Sequence, residues 1–341
     1  MKKIYLLIGT SALLIVLSCK KNDPLTLPCD PPVPTTPYVT DNSFKIVSYF
    51  PSYRDPASVA DSKFKMITHL FYAFLNPNTD GSLVALEQPA RFTAVIQKAK
   101  ANGVKTGISI SGTKNIFVTM AASATARSLF VKNVLTFVKT NNLDGIDMDW
   151  EYPSTSDGSA DHYVLLMKEL SDSLHKYHKF LSAAITPGVY AGSIRDGLKS
   201  EVFPVVDFFN IMVYDGIGWD KNEPIQHASY NMAVASLNYW LSSRGMPREK
   251  AVLGIPAYGK NANNSAKAYR DFVTAGADVS LDNALIDGVQ FYFNGTITTR
   301  KKAKLAKDIA NGIMFWEFYH DENGDKSIIR AANNELGRNY N

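Results

Sequence analysis

Eight short apolar stretches divide this chain from Lys45 onward, and segments with helical periodicity separate them. The strand candidates are Lys45–Phe50, Ile67–Leu75, Lys105–Ser111, Gly145–Glu151, Leu181–Thr186, Phe208–Tyr214, Ala251–Ile255 and Gly312–Trp316. The clearest helical pattern is Asp161–Phe180, where Tyr163, Leu166, Met167, Leu170, Leu174 and Tyr177 recur on one side. Arg91–Asn102, Thr125–Asn141 and Asn231–Arg244 behave similarly. Largely apolar strands alternating with helices argue for a parallel sheet covered by helices. Eight of them fit an α/β fold of the closed (β/α)8 TIM barrel type, which typically takes ~250 residues and tolerates insertions. A doubly wound open sheet is the alternative, weakened because no glycine-rich phosphate fingerprint follows the first strand.

The fourth stretch ends in Asp147-Met148-Asp149-Trp150-Glu151. Strand side chains alternate between faces, so Asp147, Asp149 and Glu151 point one way and Ile146, Met148 and Trp150 the other. The large side chains suit burial under a covering layer. Three carboxylates on one face do not suit a core, because like charges in a partly dry space are costly unless they share protons or meet a cation. The row reads as a working site, either an acid–base set or a Mg²⁺ or Ca²⁺ site. Glu151 closes the strand, at the barrel end where active sites lie.

Composition excludes several other classes. The net charge of +4 over 341 residues is small, and no basic cluster interleaved with aromatics marks a nucleic-acid surface. The basic run Arg300, Lys301, Lys302, Lys304 and Lys307 is expected on a solvated helix face. The 2 cysteines, Cys19 and Cys29, lie near the start, so the body has none for a disulfide, a thiolate zinc site or a catalytic thiol. The 6 histidines form no ligand set. His175 and His178 are expected on a solvated helix face, and His69 and His320 as satisfied polar residues. Neither a metal nor a cofactor is expected.

Lys2 and Lys3 precede an apolar run, Ile4 to Leu17, that is short for a bilayer span and reads as a secretory signal. Val16-Leu17-Ser18-Cys19 resembles the lipobox of bacterial lipoproteins, in which the cysteine is lipidated and becomes the mature N-terminus. An uncleaved membrane anchor is the other reading. Both place the body outside the cytoplasm, and the lipobox implies the bacterial outer membrane, on its periplasmic or cell-surface side. Prolines 24, 28, 31, 32, 34 and 37 favour extended polyproline II. Residues 1–18 therefore read as a signal peptide, 19–43 as a lipidated cysteine with a proline-rich tether, and 44–341 as the barrel, with at most a small insertion before the last strand.

The row Asp144-Gly-Ile-Asp147-Met-Asp149-Trp-Glu151 resembles the D-x-x-D-x-D-x-E signature of family 18 glycoside hydrolases, the chitinase family, on its fourth barrel strand. The likeness extends along most of the body. Val47-Ser-Tyr49-Phe-Pro-Ser-Tyr53 is similar to the family's first strand, Tyr72-Ala-Phe74 to its second, and Met212-Val-Tyr214-Asp215 to the M-x-Y-D motif of its sixth. Ile255-Pro-Ala-Tyr258-Gly resembles the seventh and Gly312-Ile-Met-Phe-Trp316 the eighth. The third departs from the family's S-x-G-G, reading Ser109-Ile-Ser111-Gly112. Lys260–Thr299 is shorter than the α+β insertion of many exo-acting members, which implies an open cleft and endo cleavage.

The resemblance implies substrate-assisted hydrolysis of β-1,4 links after N-acetylglucosamine, with the substrate's acetamido group as nucleophile and an oxazolinium intermediate. Glu151 would be the acid, Asp149 would orient the acetamide, Asp147 would share a proton with Asp149, and Tyr214 would bind the acetamide oxygen. Trp316 would floor the cleft, with Asp215, Met212, Tyr49, Phe74 and Trp219 as further substrate contacts. Chitin or its oligomers are the implied substrate. An endo-β-N-acetylglucosaminidase acting on the chitobiose core of N-glycans, and a non-catalytic chitin-binding lectin, are the alternatives. The expected partners are this glycan and, through Cys19, a membrane; a monomer is expected.

Overall fold

The computed structural model describes residues 32–340. The eight predicted stretches form parallel strands: β1 (Lys45–Pro51), β2 (His69–Leu75), β3 (Lys105–Ser111), β4 (Gly145–Asp149), β5 (Phe180–Ile185), β6 (Phe208–Ile211), β7 (Ala251–Pro256) and, last in the chain, β12 (Gly312–Trp316). They close into a barrel in the order β1-β12-β7-β6-β5-β4-β3-β2. Every residue of β1, β4, β5, β6 and β7 is buried, as strands lying between a filled interior and a helical layer must be.

Two apolar shells result. Inside the barrel, Val47, Phe71, Phe180, Phe208 and Met314 fill the lower layers. Outside it, Ile146, Met148 and Trp150 join the larger shell between strands and helices. The Trp150 ring stacks on Phe117 at 5.1 Å and meets Tyr163 edge-on at 5.6 Å. Burying side chains of this size stabilises the fold by roughly 2–3 kcal/mol each. That outward anchoring turns the alternate residues, Asp147 and Asp149, into the barrel.

Several element ends differ from the sequence reading. β4 stops at Asp149 and β6 at Ile211, so Glu151 and Tyr214 stand past the strand ladders. Phe180 opens β5 instead of ending a helix. The helix Ser159–His175 stops five residues earlier, and His178 turns the chain with φ of +55°. Between β7 and the helix Thr296–Ile309 lies a small insertion. Strands β8 (Tyr258–Asn261), β9 (Ala266–Ala268), β10 (Asn283–Ile286) and β11 (Val289–Tyr292) form an antiparallel sheet, joined by the helix Tyr269–Thr274.

Three surface expectations are corrected. Lys302 is buried, not solvated, because the helix Thr296–Ile309 turns Thr299, Lys302, Ala303 and Ala306 toward the body. Its Nζ donates to Ala228 O and Asn294 Oδ1, both at 2.7 Å. Burial pulls its pKa down to about 7. His175 is not on a free face: its Nε2 lies 3.0 Å from Asp207 Oδ2, and its ring stacks on Tyr38 at 4.0 Å. Tyr38 belongs to the segment read as a tether, which is docked from Thr36 onward. Thr36 O contacts His178 Nε2 at 2.8 Å, Thr40 donates to Asp207 Oδ1 at 2.7 Å, and Asp41 pairs with Lys105 at 2.6 Å. Extended proline-rich backbone predicts conformation, and says nothing of the side chains that clip it down. Cys19 and the signal segment lie outside the described residues. Among the described residues no helix is long and apolar enough to cross a membrane.

Candidate active site

Asp147 is the deepest member of the carboxylate row. Parallel register sets Ser109 of β3 and Ser182 of β5 beside it. Ser109 Oγ donates to its Oδ2 at 3.1 Å and Ser182 Oγ to its Oδ1 at 2.6 Å. From across the barrel Tyr49 Oη donates to Oδ2 at 2.8 Å and Asn210 Nδ2 to Oδ1 at 3.0 Å. Burial pushes the Asp147 carboxyl up, and these four donors pull it back without cancelling the rise. Both oxygens are thereby engaged, which leaves Asp147 poorly placed to ligate a hard cation.

Asp149, one pleat further out, lies beside Ser111 and is 5% exposed. Burial raises its carboxyl well above the usual range, and the charges of Glu151 and Asp147 add to the rise. A hydrogen bond joins it to Glu151. The expected proton-sharing partner of Asp149 is Asp147; the side-chain hydrogen bond of Asp149 runs to Glu151, while Asp147 is held by four other donors. Asp149 Oδ1 is buried with no partner. A buried acceptor in that state is costly unless a ligand donor reaches it.

The opposite wall comes from the ends of β6 and β7. Asp215 has φ of +61°. Its Oδ1 accepts from Tyr258 Oη and Lys260 Nζ, both at 2.6 Å. Burial works to raise this carboxyl, yet His227, Lys260 and Tyr258 together hold it below the ordinary range. Tyr214 is pushed well above the usual phenol range by burial, with Tyr258 and the charges of Asp149 and Glu151 adding. Trp316 ends β12, its ring stacked on Phe74 at 5.8 Å and tilted against Tyr49 at 5.4 Å.

These groups enclose a cavity of about 300 Å³ lined by Tyr49, Phe74, Asp149, Glu151, Met212, Tyr214, Asp215 and Trp316 from the sequence-predicted set. Asp147 lies beneath it. Trp219 does not line it, packing instead against the outer apolar shell. The sequence reading gave no site role to Ser111, Tyr152, Ala184, Pro187 and Tyr258, which also line the cavity, nor to Lys260, Ser182 and Asn210 behind it. Ser111 and Tyr258 lay within the strand motifs already quoted, and two of the three behind carried a signal. Lys260 shares a strand face with Tyr258, and Asn210 sits one pleat below Met212. Ser182 carried none, since its role depends on register with β4. The cavity offers an acid at its rim, a free buried acceptor, a phenol and an apolar floor, the equipment for binding and cleaving a sugar.

Residues 45–321 match the family model described as glycosyl hydrolases family 18. The chain is 28% identical over 348 residues to Endochitinase 1 of Metarhizium robertsii, covering 82% of this chain and 81% of that one. It is 28% identical over 313 residues to a class V chitinase of Arabidopsis thaliana, covering 83% and 80%. Among solved structures it is similar to the GH18 chitinase ChiB from the chitin utilization locus of Flavobacterium johnsoniae, with 28% identity and a TM-score of 0.71, covering 86% of this chain and 94% of that one. A human pseudo-chitinase with retained chitooligosaccharide binding shares the fold, with 20% identity and a TM-score of 0.72, over 87% of this chain and all of that one. The carboxylate row on β4, the closed barrel and the match over 45–321 have one common account: this chain belongs to glycosyl hydrolase family 18.

Proposed function

We propose that the protein hydrolyses β-1,4 links after N-acetylglucosamine in chitin or chitooligosaccharides, with retention, through an oxazolinium intermediate. The observation that carries this reading is the unpartnered Oδ1 of Asp149, buried at the wall of a cavity that also presents Glu151 and Tyr214. An acetamide supplies what that wall lacks. Its N–H donates to Asp149, and Tyr214 Oη donates to its carbonyl oxygen. That oxygen then lies under C1 and attacks it as Glu151 protonates the departing glycosidic oxygen. Asp149, anionic once the shared proton has gone to Glu151, stabilises the positive oxazolinium. Water opens the ring from the vacated face, giving its proton to Glu151 and restoring the acid.

Glu151 distinguishes this reading from a purely sugar-binding protein, since a lectin needs no acid at the cleft. The test is Glu151→Gln. Hydrolysis of chitin oligosaccharides, followed by mass spectrometry, should vanish while oligosaccharide binding persists. Unchanged turnover would sink the mechanism. A high-mannose glycoprotein in parallel reports the chitobiose-cleaving alternative, and the product lengths report endo or exo action.

We also propose that the chain is lipid-anchored through Cys19 outside the cytoplasm, on the strength of Val16-Leu17-Ser18-Cys19. Metabolic labelling with a palmitate analogue should mark the protein and fail to mark Cys19→Ala.

A further inference from the structure

The residue after the cleft floor is a fully buried glutamate. Glu317 is 0% exposed, yet its carboxylate meets Arg54, the His320 ring and the Tyr319 N–H. Oε1 lies 3.2 Å from Arg54 Nε and 3.1 Å from His320 Nε2, and Oε2 accepts from Tyr319 N at 2.7 Å. Arg54 comes from the loop after β1, so this cluster ties the exits of two adjacent strands. The guanidinium also packs over the rings of Tyr53 and Tyr319, at 4.9 and 4.8 Å, and touches His320 Nε2.

The surrounding backbone makes the position of Glu317 consequential. Trp316 O accepts from Ala257 N at 2.7 Å and Phe318 N donates to Tyr49 O at 2.9 Å. Neighbouring strands thus hold the main chain on either side of Glu317. The turn over 317–320 is closed by its own His320 N to Glu317 O bond, at 3.1 Å, and by the Glu317 side chain, while Arg270 N donates to His320 O at 2.8 Å and Lys63 Nζ to Phe318 O at 2.5 Å. Nothing in the acid–base scheme uses this carboxylate.

We propose that Glu317 is a positioning residue: by gripping Arg54 it fixes the turn after β12, and with it the angle of the Trp316 indole against a bound sugar. The inference rests on the glycan reading of the cleft and deepens it.

The grip depends on charge. The groups facing Glu317 are Arg54 and Tyr53 from the β1 loop, Lys63 from the helix Asp61–Phe64, and Tyr319 and His320 from its own turn. Arg270, stacked over Tyr319 at 4.1 Å, adds a further cation nearby. Burial pushes Glu317 up to about 7, with Arg54 opposing the rise. His320 is pulled down to about 3 by burial and by Arg54, so it stays neutral. The folded-state pKa is raised, so Glu317 is a neutral acid at pH 5.5 and an anion clamped to Arg54 at pH 8.5.

Glutamine mimics the neutral acid and cannot become the anion, which makes the test specific. Chitotetraose binding is measured by calorimetry in a Glu151→Gln parent, with and without Glu317→Gln, from pH 5.5 to 8.5. The two affinities should agree at pH 5.5, and the double variant should bind about fivefold more weakly at pH 8.5. Arg54→Gln should reproduce that pattern from the other side of the pair, and it decides alone if Glu317→Gln does not fold. A ratio of affinities that stays flat across the range, at unity or above it, overturns the proposal. A parent that binds no chitotetraose at any pH overturns the glycan reading, and this inference with it.

Discussion

Lys260 Nζ lies 2.6 Å from Asp215 Oδ1, and Tyr258 Oη donates to the same oxygen. The two donors come from one face of β8, so the small insertion sheet does chemical work at the barrel rim. It keeps Asp215 anionic beside Tyr214.

Removing that cation should therefore move an ionisation. Asp215 is depressed in the folded protein, so its anion stabilises the fold above the ordinary aspartate pKa of about 3.9, and that contribution is lost as pH falls through the lower folded value. Lys260→Met should raise the folded value and shift the acid limb of the kcat/KM profile upward, with kcat/KM down about tenfold at pH 6. An acid limb that stays where it was would refute this role.

The donors around Asp147 make a second prediction. Ser182→Ala leaves a fully buried carboxylate with three donors in place of four. Unfolding by denaturant should report a loss of roughly 1–2 kcal/mol. Since Ser182 is not among the cavity-lining residues, KM should hold while kcat falls several-fold. A change confined to KM would mean that the serine touches substrate instead.

The barrel and the acid row were readable for one physical reason. Both are repeating patterns: apolar strands at barrel spacing, and alternation that put Trp150 outside and Asp149 inside. Glu151, Tyr214 and Trp316 fell at strand ends for the same reason. What could not be read was pairing across the barrel. No local pattern tells Ser182 that β4 lies beside it, or Asn210 that Tyr49 and Asp147 meet it inside the barrel. Lys302 misled because a lysine in a basic run looks solvated until the helix face is known. Trp219 misled because an aromatic near a cleft motif can equally pack outward.

Residues 36–43 carry a prediction about stability. The segment contributes the Tyr38–His175 stack, the Thr40–Asp207 bond and the Asp41–Lys105 pair. A protein beginning at residue 44 should be less stable than one beginning at residue 32 by roughly 2–3 kcal/mol, most of it from the contacts of the half-buried Tyr38. The exposed Asp41–Lys105 pair adds little. Thermal unfolding of the two forms measures the difference, and equal midpoints would mean that the segment rests on the barrel without stabilising it.

Asp149 gives the sharpest pH dependence. Its folded pKa is raised, first by burial and then by Glu151 and Asp147. The sign follows from linkage: its contribution is fully present below the unfolded aspartate value of about 3.9, and is lost as pH rises through the folded value. Wild-type protein must ionise a buried group on the alkaline side, and asparagine cannot ionise. Asp149→Asn should therefore gain stability relative to wild type between pH 5 and pH 9, by roughly 1–2 kcal/mol at the alkaline end. On the proposed mechanism turnover should fall at least about 100-fold, because a neutral amide would neither share a proton with Glu151 nor balance the oxazolinium charge. Thermal midpoints across that pH range, set beside kcat, separate the two effects. A stability gap that does not widen with pH would mean that Asp149 is already ionised in the free protein, and that the proton of the pair rests on Glu151 from the start.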